Sequence, residues 1–215
     1  MNDALPHDLV LLSGVDALIG GCAAPGWVQE ALNAVPVVVV RRDLCDGKVI
    51  PVGVRGKSRS ERFAAFLPGG AVQRRITPED LAAGQRWLSI ERSEFAAFRR
   101  TLEAIAPAWS SLAWGIAGSV GFELATGVAS TTPESDLDLI IRAPSPIAKP
   151  DAESILQSAS GLEVKVDIRI ETPIGSVGLK EYLSPQSPRL LMKTCGGPQL
   201  VADPWTDLCR SSRLA

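Results

Sequence analysis

Residues 135–143 read SDLDLIIRA. Side chains alternate faces along a strand, so Asp136 and Asp138 project together while Leu137 and Leu139 lie on the opposite, buried side. The sheet that holds this strand must bury one face and present two adjacent carboxylates on the other. The neighbouring segments extend the pattern. LAWGIAG, before it, reads as a strand, and SVGFELATG as a short helix ended by Gly127. KPDAESILQSAS (149–160) reads as a helix, and LEVKVDIRIET (162–172) as a strand with Val164, Val166, Ile168 and Ile170 at period two. Strand, helix, strand, helix, strand predicts an α/β (α+β) core.

Two anions this close are unfavourable unless a cation joins them. Oxygen-only ligands suit a hard ion such as Mg²⁺, which binds through one or two carboxylates plus substrate phosphates. Asp167 is an interior acid in the next strand, flanked by Val166 and Ile168. Burial of a lone carboxylate there is costly, and shared metal coordination would explain it. Three carboxylates on neighbouring strands can support two ions ~4 Å apart that clamp the attacking and leaving oxygens of a phosphoryl displacement. Gly118-Ser119, opening the helix, would aim backbone N–H groups and a hydroxyl at a phosphate, aided by the helix dipole. Each part alone has an ordinary explanation: a solvated turn, a common helix start, an edge-strand charge. Their order and spacing together favour phosphoryl chemistry. Glu134 and Glu171 read as solvent-facing flanks.

The first third of the chain is different. HDLVLLSG (7–14), PVVVVRR (36–42) and KVIPVGVRG (48–56) read as strands, Pro51 suggesting an edge or bulge, and APGWVQEALNAV (24–35) as a helix. Thr77-Pro78-Glu79-Asp80 is a helix start with cap, proline and acids in order, predicting a helix to about Trp87. SEFAAFRRTLEAIAPAW (93–109) is amphipathic, with Ser93 as expected cap. RLLMKT and PQLVADPW read as a final pair of short strands or turns. A boundary near 77 divides a small β-rich module (1–76) from the core region (77–215).

Composition removes several function classes. The net charge of -2 gives no overall basic field, which speaks against a nucleic-acid binder. The longest apolar runs are far below the ~20 residues a membrane span needs, and no secretory leader is visible. The four cysteines are widely spaced and there is one histidine, His7. That pattern speaks against zinc and against histidine-based acid–base catalysis, and suits a cytoplasmic protein with reduced thiols. The five tryptophans read as core.

Strand, Gly-Ser, helix, DLDLII, helix and a strand with a third Asp resemble the nucleotidyltransferase superfamily, the fold of polymerase β, over roughly 112–172. Across nearly the whole chain, the segments PHDLV, PVVVVRR, VGVRGKSRSERFAAFLP, GSVGFELATG, SDLDLIIRAP, VDIRIETPIGSVGLKEY and LLMKTCGGPQLVADPW resemble the malonate decarboxylase holo-acyl-carrier-protein synthases, or phosphoribosyl-dephospho-CoA transferases. The resemblance implies transfer of 2'-(5''-triphosphoribosyl)-3'-dephospho-CoA to a serine of the apo acyl-carrier subunit of malonate decarboxylase. A phosphodiester forms and diphosphate leaves. It also implies Asp136 and Asp138 as Mg²⁺ ligands and Gly118 and Ser119 as the phosphate turn. Asp167, carried from the wider superfamily, would help deprotonate the serine with a second ion. Arg55, Lys57, Arg59 and Arg62 fall within eight residues and could grip phosphates or dock an acidic carrier, as could Arg74 and Arg75. Lys193 is a further candidate for the leaving diphosphate. The citrate lyase carrier transferase, a nucleotidyltransferase using an ordinary NTP, and a degenerate binding module are the alternatives.

Overall fold

The computed structural model describes residues 4–20, 24–45, 47–58, 60–184 and 189–206. Strands fall into two sheets. The first contains β1 (Leu9–Leu12), β2 (Val37–Val40), β3 (Val49–Arg55), β4 (Arg62–Pro68) and β5 (Val72–Ile76), in the order β4-β3-β2-β1-β5 and antiparallel throughout. Its strands are rich in valine, and β-branched side chains suit a pleated sheet buried on both sides. Val10, Leu12, Val38 and Val40 pack with Val28 and Leu32 of α1 (Gly26–Ala34). Leu9 and Val37, one residue out of phase, belong to the core of the second sheet.

Pro51 lies inside β3, which pairs with both β2 and β4, so the expected edge is not found. Its carbonyl accepts from Arg41 N just beyond the end of β2. The missing N–H therefore faces the same side, where no strand continues to need it.

The second sheet runs β11-β10-β9-β8-β7-β6. It comprises β6 (Trp114–Ile116), β7 (Leu137–Arg142), β8 (Val166–Thr172), β9 (Gly175–Gly178), β10 (Leu190–Thr194) and β11 (Gly197–Val201). Among the described residues only β7 and β8 pair in parallel, joined by the crossover helix α5 (Lys149–Ser158). The result is a mixed α+β architecture. Leu137, Leu139 and Ile141 of β7, with Val166, Ile168 and Ile170 of β8, sink one face into a core with Phe95, Phe98, Leu102 and Trp109. The even-numbered residues of β7 and odd-numbered residues of β8 turn the other way, as period two requires.

Helices begin and end where local chemistry dictates. Thr77 and Asp80 form a reciprocal capping box, Thr77 N donating to Asp80 Oδ2 at 2.9 Å and Asp80 N to Thr77 Oγ1 at 3.0 Å. That helix, α2 (Pro78–Ala83), stops at Gly84 rather than near Trp87, because Gln85 turns left-handed (φ 47) into a separate 3-10 turn. α3 (Ala96–Ile105) follows a 3-10 turn over Ser93–Phe95, and Ser93 spends its hydroxyl on Glu94 Oε2 instead of capping. α4 (Gly118–Thr126) ends at Gly127, whose φ of 73 is the usual left-handed stop. α6 (Leu179–Leu183) links β9 to β10.

Candidate active site

A cleft of about 1240 Å³ lies between the two sheets, lined from one side by Trp27, Arg41, Arg55 and Arg62 and from the other by Gly118, Ser119, Asp136 and Asp138. The acidic wall is built by strand register. β6 and β7 are antiparallel with Ile116 opposite Leu139, so the chain leaving β6 arrives beside Asp138, and Ala117 N donates to Asp138 O at 2.9 Å. There Gly118, at φ 64, turns into α4. A β-carbon on Gly118 would collide with the Asp138 carboxylate. Only glycine lets that carboxylate lie against the first turn of α4, where the helix dipole favours negative charge.

Asp138 is also the Cα partner of Asp167 across the parallel β7–β8 pair. Burial, then the charges of Asp167 and Asp136, push the Asp138 carboxyl up; His7 and Arg55 oppose this more weakly. No cation lies within ion-pair distance of Asp138 among the described residues. Asp136 is half-buried and meets the exposed Lys165, Nζ to Oδ2 at 2.7 Å. Asp167 is exposed, not buried as expected for an interior strand acid, because it stands at the start of β8, and it does not line the cleft.

The loop between α4 and β7 is fixed from below. Buried Glu123 accepts from Ser130 N (2.9 Å), Thr131 N (2.9 Å) and Thr131 Oγ1 (2.8 Å), and from Arg92 at 2.8 Å. Burial raises the Glu123 carboxyl, but these bonds outweigh it and hold the group below its ordinary range. Ser130 in turn donates its hydroxyl to Ser119 O at 3.1 Å, so the phosphate turn expected at Gly118-Ser119 is tied to the loop beside it.

The basic wall comes from β3 and β4. Arg55 and Arg62 are direct cross-strand partners. The Arg55 guanidinium carbon sits 5.3 Å from the Phe122 ring centroid of α4, a cation–π contact across the cleft. Burial and then Arg62 lower Arg55 to about 10, against the pull of Asp138. It stays charged at neutral pH. Arg62 is exposed, donates to Ser58 O and Glu61 O, and lines the cleft with Lys57. Arg59 lies outside the described residues.

Lys193 is not brought to this cleft. It is exposed on β10, opposite Ser176 of β9, which pairs with Glu171 and so with Arg142 at the far end of β7. Glu171, expected to face solvent, is buried at 5% exposure. It shares a face with Asp167, four residues earlier, but at its end of that face His7 and Arg42 lie over it. Its carboxylate is met by Arg42, by His7 Nε2 at 3.2 Å and by Arg142 at 4.0 Å. Burial raises the Glu171 carboxyl, but His7 and Arg42 prevail and bring it to about 2. Arg142 also contacts Glu79 (2.8 Å) and Asp8 (3.5 Å), so the row joins both sheets. His7, the single histidine whose isolation spoke against histidine-based catalysis, lines the cleft. Face parity could have found Glu171; nothing in the sequence could have placed His7 against it.

The donor chemistry of the acidic wall suits a hard cation. Among the described residues, no three His, Cys, Asp or Glu side chains converge tightly enough to hold an ion by themselves. Asp136 and Asp138 are two carboxylates on one wall, a donor set of the kind Mg²⁺ uses together with substrate phosphates. No described helix is long and apolar enough to cross a membrane.

Comparison with known proteins gives matches over both parts of the chain. Residues 5–78 match the phosphoribosyl-dephospho-CoA transferase MdcG N-terminal domain, and residues 87–204 the C-terminal domain. A phosphoribosyl-dephospho-CoA transferase of Azotobacter vinelandii is 40% identical over 209 residues, covering 94% of this chain and 95% of the relative. One from Pseudomonas aeruginosa is 41% identical over 201 residues, 93% of each chain. One from Klebsiella pneumoniae is 39% identical over 203 residues, 93% of this chain and 95% of the relative. No solved structure matches. On both domains and on full-length relatives, the chain belongs to the phosphoribosyl-dephospho-CoA transferase family.

Proposed function

We propose that this transferase moves the 2'-(5''-triphosphoribosyl)-3'-dephospho-CoA group to a serine of the apo acyl-carrier subunit of malonate decarboxylase. A phosphodiester forms and diphosphate leaves. The observation that carries the proposal is the Asp138 carboxylate, seated on the first turn of α4 against a glycine it requires and left without a cationic partner among the described residues. The family match supports the substrate and the carrier.

The unit β6–α4–β7–α5–β8 is proposed as a nucleotidyltransferase core, since it places a Gly-Ser turn and an Asp-x-Asp pair side by side. Asp136 and Asp138 would hold Mg²⁺, with Asp167 a third carboxylate beside them; the ion would neutralise charge on the triphosphate. Ser119 and the N–H groups of α4 orient the terminal phosphates. Arg55 and Arg62 face them from the opposite wall, where guanidinium forks suit phosphate oxygens. Withdrawal of the phosphates between the two sheets shields the reacting group from water. We place the enzyme in the cytoplasm.

Intact mass of the apo carrier subunit, after incubation with enzyme, Mg²⁺ and the precursor, tests this. A gain equal to precursor minus diphosphate, absent with Asp136→Ala or Asp138→Ala, is expected. No gain on a competent carrier, with gain on the citrate lyase carrier or turnover of an ordinary NTP instead, would reassign the substrate.

A further inference from the structure

We propose that His7, held by Glu171, takes the proton from the incoming serine hydroxyl. The inference rests on the transfer proposed above. His7 is the only histidine in the chain and sits two residues before the start of β1. Its φ of 77 is left-handed, a conformation costly for a residue with a β-carbon and kept only where surroundings impose it. They do so here: His7 N donates to Val40 O at 3.0 Å, and the turn is closed by Asp8 N on Leu5 O at 3.1 Å and Leu5 N on Asp8 Oδ2 at 2.9 Å. The chain thus holds a strained backbone at a residue that bridges the two sheets and faces the cleft.

The ring has a defined orientation. Nε2 lies 3.2 Å from Glu171 Oε1. Glu171 is buried and flanked by Arg42 and Arg142, so it accepts, and Nε2 carries the proton. Nδ1 is then the basic nitrogen, and no hydrogen bond reaches it among the described residues. The side chain is 32% exposed and lines the same cleft as Asp138. A buried carboxylate fixing the tautomer of a solvent-accessible imidazole is the arrangement that makes histidine a general base. The other acids fit the task less well. Asp136 and Asp138 would be committed to the cation, and Asp167 is exposed outside the cleft lining.

The step balances without another reagent. The serine Oγ forms a bond to the phosphorus bearing the ribose. The bond from that phosphorus to the bridging oxygen breaks, and its electron pair leaves with diphosphate. The serine proton passes to Nδ1, and Glu171 stabilises the resulting imidazolium. The proton then returns to solvent or diphosphate.

The test is the rate of carrier mass gain at saturating precursor, with wild type, His7→Ala, His7→Ala plus imidazole, and Asp138→Asn run together. His7→Ala is expected to lower kcat by about 10²-fold or more, with KM for the precursor changed less than about threefold, and free imidazole to restore part of the loss. A structural role would not respond to imidazole. A kcat within about threefold of wild type, or a loss that imidazole leaves untouched in a folded variant, overturns the assignment. If His7→Ala does not fold, nitrogen NMR of the single histidine in the wild-type enzyme decides. A proton on Nε2 and a bare Nδ1 are expected; a proton on Nδ1 overturns it. Transfer by wild type with an indifferent His7 variant faults only this inference, whereas no transfer by wild type faults the proposed function as well.

Discussion

At one end of the cleft-facing side of β7 and β8, Glu171 is enclosed by His7, Arg42 and Arg142. At the other end Asp138 faces Asp136 and Asp167, and no described cation is within ion-pair distance. The two carboxylates share a sheet face, Glu171 buried and Asp138 partly buried. One is compensated from every side and joins the sheets. The other is left in deficit, as a cation site must be before its ion arrives. Their acid behaviour differs in sign. Burial alone would raise both, but His7 and Arg42 bring Glu171 to about 2, whereas Asp138 is raised by burial and by its acidic neighbours. Glu171 therefore stabilises the fold above pH 4.5, and that stability is lost as pH falls toward 2. Asp138 does the reverse: its contribution declines as pH rises from 3.8 through its raised folded value.

The deficit end can be broken by removing one charge. Asp138→Asn preserves shape, and transfer measured by carrier mass is expected to fall at least about 10³-fold. The compensated end breaks differently. Glu171→Ala strands the Arg42 and Arg142 guanidinium groups and the His7 N–H, and should cost about 3 kcal/mol, read as a lower denaturation midpoint. In acid, the stability that wild type loses between pH 4.5 and about 2 should be missing from the profile of Glu171→Gln. Gly118→Ala tests the contact that seats Asp138. It forces a β-carbon into the carboxylate and a left-handed backbone, lowering stability by about 1–2 kcal/mol and transfer by about 10²-fold. Arg62→Ala, on the exposed rim, should raise KM for the precursor about fivefold with little change in kcat. Lys193→Ala should leave both within about twofold, since β10 holds it away from the cleft.

Much of the deficit end was legible in the sequence, because it is local. Period two put Asp136 and Asp138 on one face, and both line the cleft, although Asp136 falls just before β7 begins. Gly-Ser before an apolar helix marked the start of α4, and Gly127 its end. What escaped is what depends on pairing between distant segments. The acid-for-glycine contact of Asp138 with Gly118 follows from the β6–β7 register, which no short motif encodes. Glu171 looked like a flank because nothing near it in sequence covers it; His7 and Arg42, more than a hundred residues away, do. Asp167 was chosen as an interior acid of the next strand and Lys193 for its charge, and the structure leaves both out of the cleft lining. Helix ends were misplaced where a non-glycine turned left-handed, as at Gln85.

The most direct test of the contrast is the melting temperature of wild type and Asp138→Asn at neutral pH, with and without Mg²⁺ and inorganic triphosphate. Without additives Asp138→Asn should melt at or above wild type, since it relieves repulsion. With additives wild type should rise by several degrees and Asp138→Asn should not move. An Asp138→Asn protein that melts below wild type without additives, or that gains as much from Mg²⁺ and triphosphate, would contradict the view that this carboxylate is held in deficit for a cation.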